Sequence, residues 1–194
     1  MPRRSRSGRP ETAVELVYET HSTTVDNETG VATGWLDGEL SANVREQARL
    51  LGERRREADV VYASDLGRAV ETVEIAFGAT SLPVHLDSRL RECNYGELNG
   101  RPAAELDRAR RLRHLDEPFP RGQSYRDVVE ATRSFLEDVA ARHDGEQVVV
   151  VAHSANRWAI QHLLDGIPLE DLVGAPFDWQ EGWVYRLESG TIAR

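Results

Sequence analysis

The fold is decided by a stretch at residues 15–27, which reads ELVYETHSTTVDN. A short apolar run in it ends at His21, and a loop rich in hydroxyl groups follows. A second run does the same late in the chain, where four valines at 148–151 lead through Ala152 to His153. Each run predicts a buried strand that carries a histidine at its carboxyl end. In an open α/β sheet, that edge is where ligands bind.

Outward from these two runs, apolar stretches alternate with segments of helical periodicity. Further strands are predicted at 60–63, 84–86 and 183–187, the last as an edge strand. Residues 22–40 are predicted to form a loop and residues 103–114 a helix. Ser124 is expected to cap a long helix, since serine is a preferred residue at a helix N-terminus. The alternation predicts an α/β fold with a mainly parallel sheet.

The amino-acid composition limits the kinds of binding and catalytic site that the chain can form. The chain has 194 residues and a net charge of −9, so its surface as a whole does not attract nucleic acid or anionic lipid. All 24 basic residues are arginine, which excludes lysine Schiff bases and the P-loop lysine. Arginine, whose planar fork suits phosphate and carboxylate, is left as the anion ligand. A single cysteine, Cys93, excludes an intramolecular disulfide.

The chain is predicted to consist of a flexible basic tail at residues 1–12 and one domain at 13–194. The tail has several arginines and no apolar segment after them, so it does not resemble a signal peptide. An arm that binds nucleic acid or a partner is the alternative to a solvated tail. No apolar stretch is long enough to span a membrane, and we expect a cytoplasmic protein.

Strand-end geometry predicts that His21, Arg68, His153 and the loop with Glu92 meet at one rim. Two imidazoles, a guanidinium and helix N-termini would make a local positive pocket that favours phosphate. A neutral imidazole can attack phosphorus and form a phosphohistidine. A carboxylic acid can protonate the leaving oxygen and later accept a proton from water.

The sequence also allows other roles for these residues. The two histidines and Glu92 could hold a metal, although a metal would compete with Arg68 for the site. Arg68 could pair with Glu71 on its own helix. Glu92 could be structural, and Cys93 could be a nucleophile or, by default, a small buried side chain.

Five blocks of the sequence, in order, resemble motifs of the histidine phosphatase (phosphoglycerate mutase-like) superfamily. Residues 20–27 read THSTTVDN, against the family's Arg-His-Gly-Glu-Thr-x-x-Asn. The other blocks are SDLGRAVET at 64–72, RLRECNYGELNG at 89–100, GQS at 122–124, and VAHS at 151–154 with Arg157. Each block is weak alone, and the resemblance spans residues 14–187.

The resemblance implies a three-layer α/β/α fold of the phosphoglycerate mutase-like type. It implies that His21 is the phosphorylated nucleophile, Glu92 the acid and base, and His153 a group that stabilises the transition state. Further residues are expected to bind the phosphate: Arg68, Asn27, Ser22, Ser154, Thr20 and Arg157. No metal or organic cofactor is implied. The expected partner is a small phosphorylated substrate, with neither nucleic acid nor membrane, and the oligomeric state, including a dimer, is left open.

Two departures from the family's opening motif bear on catalytic activity. Thr20 stands where the family has an arginine that clamps the phosphoryl group, and Ser22 replaces a glycine. Losing one such donor typically costs roughly 10²–10³ in rate. Arg157 or Arg91 could replace it, nearby hydroxyls could take over some hydrogen bonds, or the substrate could carry less charge, as a diester does. The prediction is a phosphatase, and the alternatives are a family member that binds a phosphorylated ligand without turnover and a mutase-type phosphotransferase.

Overall fold

The computed structural model describes residues 13–41, 44–176, 179–188 and 192, so the predicted tail at 1–12 lies outside the described residues. The strands are β1 (Val14–Thr20), β2 (Val31–Ala32), β3 (Val60–Ala63), β4 (Val84–Leu86), β5 (Arg101–Pro102), β6 (Gln147–Ala152) and β7 (Trp183–Leu187). The α-helices are α1 (Val25–Thr29), α2 (Arg45–Arg55), α3 (Gly67–Phe77), α4 (Arg108–Arg113), α5 (Tyr125–Arg142), α6 (Ser154–Asp165) and α7 (Leu169–Gly174).

The central sheet has five strands in the order β4-β3-β6-β1-β7. The first four are parallel, and β7 pairs antiparallel with β1 at the edge. The predicted α/β architecture with a mainly parallel sheet is therefore confirmed. The remaining strands, β2 and β5, pair with each other away from the main sheet.

Helices cover both faces of the sheet, and β6 shows why its sequence is a continuous apolar run. Val148, Val150 and Ala152 belong to one core cluster, which includes buried residues of α5 and α6. Val149 and Val151 belong to the second cluster, with Leu51 of α2 and Phe77 of α3. Successive side chains of a strand point to opposite faces, so a strand between two helical layers must be apolar at every position. The three layers follow from this pattern.

Two segments differ from the predictions. The expected loop at 22–40 contains α1 and β2, because Thr24 and Asn27 form a capping box that supports a five-residue helix. The expected helix at 103–114 is shorter, since a 3₁₀ turn at Ala103–Glu105 precedes α4. The predicted cap is confirmed: the Ser124 side chain accepts a hydrogen bond from the Asp127 backbone N–H at the start of α5. Within the described ranges, no helix is both long and apolar enough to cross a lipid bilayer.

Candidate active site

The two histidines of the apolar runs meet at the carboxyl edge of the sheet. β1 and β6 are parallel neighbours, and Thr20 pairs with Ala152 at their ends. His21 is the residue after β1 and His153 the residue after β6, and their ring centroids are 5.0 Å apart. The backbone N–H of His21 donates to the Ala152 carbonyl at 3.0 Å, which fixes the start of the loop after β1. Their predicted convergence is confirmed.

The ring of His21 is held in one tautomer. Its Nδ1 lies 2.7 Å from the Ser22 carbonyl oxygen, which only accepts hydrogen bonds, so Nδ1 carries the proton. Nε2 is then unprotonated, and its lone pair accepts a hydrogen bond from the Nε–H of Arg68 at 3.3 Å. Burial and then the charge of Arg68 lower the pKa of His21 to about 4, so this imidazole is neutral at neutral pH.

Arg68 lies in the first turn of α3 and is only 3% exposed. Its terminal nitrogens donate to two carbonyls of the loop after β2, Gly34 at 2.9 Å and Leu36 at 3.1 Å. Burial lowers its pKa, and the charge of Glu92 acts in the opposite direction. The alternative pairing with Glu71 is not found, because Glu71 binds Arg45 at 3.0 Å.

His153 precedes α6 and is almost completely buried. The Tyr18 hydroxyl donates to its carbonyl, and its backbone N–H donates to Asn156 Oδ1 at 3.3 Å. Neither ring nitrogen has a hydrogen-bond partner in the described chain. Burial, and then the positive charge of Arg68, lower the pKa of His153. Its ring therefore has free polar atoms at the wall of the site.

Glu92 is buried in the loop that follows β4. Its Oε1 accepts the Cys93 backbone N–H at 2.7 Å, and the N–H groups of Ser154 and Ala155 at the start of α6 also donate to the carboxylate. The Trp35 indole N–H donates to the Glu92 carbonyl at 2.6 Å, which anchors the loop. Burial raises the pKa of Glu92, while these donors and the charge of Arg68 oppose the rise. A carboxyl group with a raised pKa is suited to proton transfer.

Two cavities flank His21. The larger, of about 440 Å³, is here called the threonine cavity and is lined by Thr20, Thr23, Gln47, His153 and Trp179. The smaller, of about 200 Å³, is here called the glutamate cavity, and its lining includes Arg68, Glu92, Tyr95, Leu106, Arg111 and Trp158. His21, Asn27 and Ser154 line both. The nucleophile candidate thus lies where the two cavities meet.

Not every predicted phosphate ligand lines a cavity. Thr20, Asn27, Ser154 and Arg68 do, whereas Ser22 and Arg157 are not among the lining residues. The Ser22 backbone holds the site instead, since its carbonyl binds the His21 ring and its N–H donates to the Thr72 hydroxyl at 3.1 Å. Arg157 is buried, and its guanidinium stacks on the Trp183 ring at 4.9 Å from the centroid.

Arg91, the other candidate for replacing the family's arginine, is also engaged elsewhere. It forms two hydrogen bonds with the Asp65 carboxylate, at 2.6 and 2.7 Å. Its guanidinium also stacks on Trp35. Asp65 belongs to the loop between β3 and α3, so this pair joins the Glu92 loop to the segment that carries Arg68.

Gln47 and Arg111 line the cavities and were not identified from the sequence, whereas Trp158 was expected to lie in the core or in a pocket wall and does line the glutamate cavity. Arg111 lies on α4, inside a stretch so rich in charge that nothing marked one arginine out. Gln47 reaches the site from α2 and accepts hydrogen bonds from the Thr23 backbone and hydroxyl, both at 3.3 Å. Packing between distant elements, which periodicity does not reveal, brings them in.

The Glu19 carboxylate does not make the space beside Thr20 acidic. The Glu19 side chain lies on the opposite face of β1, and its carboxylate binds Arg55 of α2 at 2.7 Å and Arg54 at 3.7 Å.

Among the residues that the structure describes, no three histidine, cysteine, aspartate or glutamate side chains cluster as metal ligands would.

Comparison with known proteins gives a consistent result. The family model described as histidine phosphatase superfamily (branch 1) matches residues 20–189. Phosphoserine phosphatase 1 of Hydrogenobacter thermophilus is 32% identical over 165 residues, 80% of this chain and 78% of that protein. The 2,3-bisphosphoglycerate-dependent phosphoglycerate mutase of Staphylococcus haemolyticus is 28% identical over 90% of this chain and 94% of that protein.

A solved structure agrees with these relatives. Bacillus stearothermophilus YhfR superposes with a TM-score of 0.83 at 29% identity, covering 93% of this chain and 95% of that one. The match of the family model runs from Thr20, one residue before the candidate nucleophile, through β6 and past the end of β7. The chain therefore belongs to the histidine phosphatase superfamily, branch 1.

Proposed function

We propose that this protein is a metal-independent phosphatase that acts through a phosphohistidine on a small phosphorylated substrate. The observation that carries the proposal is the state of His21, whose Nδ1 proton is fixed by the Ser22 carbonyl and whose Nε2 lone pair faces Arg68. A neutral imidazole held in this way is a nucleophile that needs no separate base.

In the proposed reaction, His21 Nε2 attacks phosphorus while Glu92 gives a proton to the leaving oxygen. The Glu92 carboxylate then accepts a proton from the water that hydrolyses the phosphohistidine. Arg68 and an N–H of His153 stabilise the charge on the phosphoryl oxygens. The Oδ1 of Asn27 is used in the α1 capping box at 3.0 Å, which leaves its amide NH₂ as a donor toward the cavities that it lines.

Hydrolysis is favoured over phosphoryl transfer to a second phosphoglycerate by the residues after Glu92. The phosphoglycerate mutases that this sequence resembles have extra basic residues after the corresponding glutamate, whereas this chain has Cys93 and Asn94. Cys93 is buried, and Asn94 Oδ1 is occupied by the Gly96 N–H and the Asn99 amide. Neither residue offers a positive charge to a second substrate.

Ligand binding without turnover is the second candidate, and Thr20 is the observation that favours it. A hydroxyl stands where the family has a guanidinium beside the nucleophile, and the cavity next to it is open. Against it, the tautomer of His21, the free ring nitrogens of His153 and the buried Glu92 are all arranged as turnover requires.

The test is turnover of a panel of phosphate esters, with acid-stable and base-stable phosphoenzyme distinguished after quenching. We expect a phosphoenzyme that survives base and is lost in acid, as phosphohistidine is, and that maps to His21. Activity should be lost in His21→Ala and should survive prolonged treatment with EDTA. Full activity in His21→Ala would exclude the mechanism, and phosphate binding with no turnover of any ester would favour the second candidate.

A further inference from the structure

We propose that the site hydrolyses phosphodiesters, with the leaving group in the glutamate cavity and the second ester arm in the threonine cavity. The inference rests on the proposed function in one respect, that His21 is the nucleophile. It adds a substrate class that carries a single negative charge on phosphorus.

The first argument is spatial. The leaving oxygen must lie near Glu92, its proton donor, and Glu92 lines only the glutamate cavity of the two. A phosphomonoester has one ester arm, which would be accommodated there. The phosphoryl oxygens, which contact His153, would occupy only the inner end of the threonine cavity, which begins at His21 and is the larger of the two, about 440 Å³. A second substituent on phosphorus accounts for that space.

The second argument concerns the lining of the threonine cavity. Thr20, Thr23 and Gln47 present hydroxyl and amide groups, and Trp179 adds an indole that is 57% exposed. The two imidazoles are neutral at neutral pH, because burial lowers the pKa of each. Neutral polar groups beside an aromatic ring suit an uncharged ester arm better than an oxygen that carries a full charge.

The third argument is charge balance. Among the described lining residues, the guanidinium groups are those of Arg68 and Arg111, and both line the glutamate cavity. Arg68 touches the nucleophile, so one cation faces the phosphoryl group directly. A diester has one negative charge at phosphorus, whereas a monoester near neutral pH has nearly two. The single charge of Arg68 next to the nucleophile matches the diester.

Neighbouring arginines are held away from the threonine cavity. Arg55 donates to the Glu19 carboxylate at 2.7 Å and to the Glu181 carbonyl at 3.2 Å. Arg91 is bound at two points to Asp65. These contacts hold both guanidinium groups elsewhere, so neither of them fills the space beside Thr20.

The reaction balances as follows. The Nε2 lone pair of His21 forms a bond to phosphorus, and the bond from phosphorus to the leaving oxygen breaks with its electron pair on oxygen, which takes the Glu92 proton. The phosphohistidine that remains is still esterified by the second arm. Water then attacks phosphorus, Glu92 takes back a proton, and the N–P bond returns its pair to Nε2. One diester and one water give an alcohol and a phosphomonoester.

The test compares methyl p-nitrophenyl phosphate with p-nitrophenyl phosphate, which have the same leaving group. We expect the wild-type protein to hydrolyse the diester with a kcat/KM at least tenfold higher and to accumulate methyl phosphate. In Thr20→Arg the guanidinium fills the threonine cavity, so diester turnover should fall and monoester kcat/KM should rise by about 10². In Thr20→Val, which removes a hydroxyl of the cavity lining without filling the space or adding charge, the diester should stay the better substrate of the two, whatever the change in either rate.

The trapped intermediate provides a readout that does not depend on rates. With the diester, the adduct on His21 should be heavier by one CH₂ group than the adduct formed from the monoester. Melting curves of Thr20→Arg show whether that variant is folded, and the wild-type preference and the mass of the adduct test the inference without it. A wild-type preference for the monoester would overturn this inference while leaving the phosphatase proposal intact. Turnover of neither probe, with no adduct on His21, would overturn both.

Discussion

At the scale of single residues, Glu19 and Thr20 illustrate how a strand separates two tasks. Adjacent residues of β1 point to opposite faces. The Glu19 carboxylate therefore meets Arg55 of α2, whereas Thr20 lines the cavity beside His21. Replacing a guanidinium by a hydroxyl at position 20 changes the charge of the site without disturbing the buried ion pair one residue earlier. The same reasoning makes position 20 suitable for substitution experiments.

The pH dependence of activity should follow from His21 and Glu92. Burial and the charge of Arg68 lower the pKa of His21 to about 4, and protonation would remove the lone pair proposed to attack phosphorus. kcat/KM should therefore fall as pH is lowered through about 4, and it should not fall at pH 6.5, where an ordinary histidine titrates. Because burial raises the pKa of Glu92, its acid form persists above the usual carboxyl range before the descending limb begins. The profile of kcat/KM reports these free-enzyme values.

Glu92→Gln removes the proposed proton donor while keeping a side chain of similar size. We expect kcat/KM to fall by about 10²–10⁴ for substrates with an alkyl leaving group, which needs protonation. The loss should be much smaller with p-nitrophenolate, which leaves without a proton. Steady-state kinetics on the two leaving groups measure the difference. An equal loss on both would mean that Glu92 has a structural role, and Glu97→Gln, on an exposed part of the same loop, is the control.

At the scale of elements, the pair of Glu19 and Arg55 joins β1 to α2 and to the segment before β7. The Glu19 side chain is 4% exposed, and Arg55 also donates to the Glu181 carbonyl. Burial raises the pKa of Glu19, and the hydrogen bond and charge of Arg55 oppose the rise. Trp179 of the threonine cavity lies on the same C-terminal segment, so this ion pair supports one wall of the site from behind.

Arg55→Met should destabilise the protein because it leaves a buried carboxylate with only the more distant Arg54. Breaking a buried pair by removing one partner costs about 3 kcal/mol in the free energy of unfolding. Arg45→Met is the matched control on the same helix, since the pair with Glu71 is largely exposed and should contribute within about 1 kcal/mol. Urea denaturation of both variants gives the comparison. Similar losses in the two would contradict this account of Glu19.

At the scale of the whole molecule, the sequence predicted the elements that are defined by strong periodicity. β1, β3, β6 and the edge strand β7 were identified from apolar runs, and α5 from its apolar face and its cap at Ser124. α1 and the β2–β5 pair were missed. A five-residue helix has too few turns for a periodic signal, and β2 is held by a pairing of Val31 with Pro102, about seventy residues away in sequence.

The site divides along the same line. His21, Arg68 and His153 were brought together by a topological rule, because parallel strands end at one edge of the sheet. Arg111 and Gln47 enter from α4 and α2, and their positions depend on how those helices pack. Packing also decides that Arg91 and Arg157 stack on tryptophans outside the cavities. Whether an arginine other than Arg68 reaches the site is therefore a question of tertiary packing, which strand and helix patterns do not answer.

Because the site is assembled from the ends of several elements, an oxyanion bound there should stabilise the whole fold. Orthovanadate, which adopts the geometry of a phosphoryl group under attack, would contact the loop after β1, the start of α3 and the start of α6 together. A ligand at a hundred times its Kd adds about 2.7 kcal/mol to the free energy of unfolding. For a chain of this size that corresponds to a rise in Tm of roughly 5–10 °C. The rise should depend on vanadate concentration and nearly vanish in His21→Ala. An equal rise in that variant would mean that vanadate binds elsewhere, and would separate oxyanion binding from the two-histidine site.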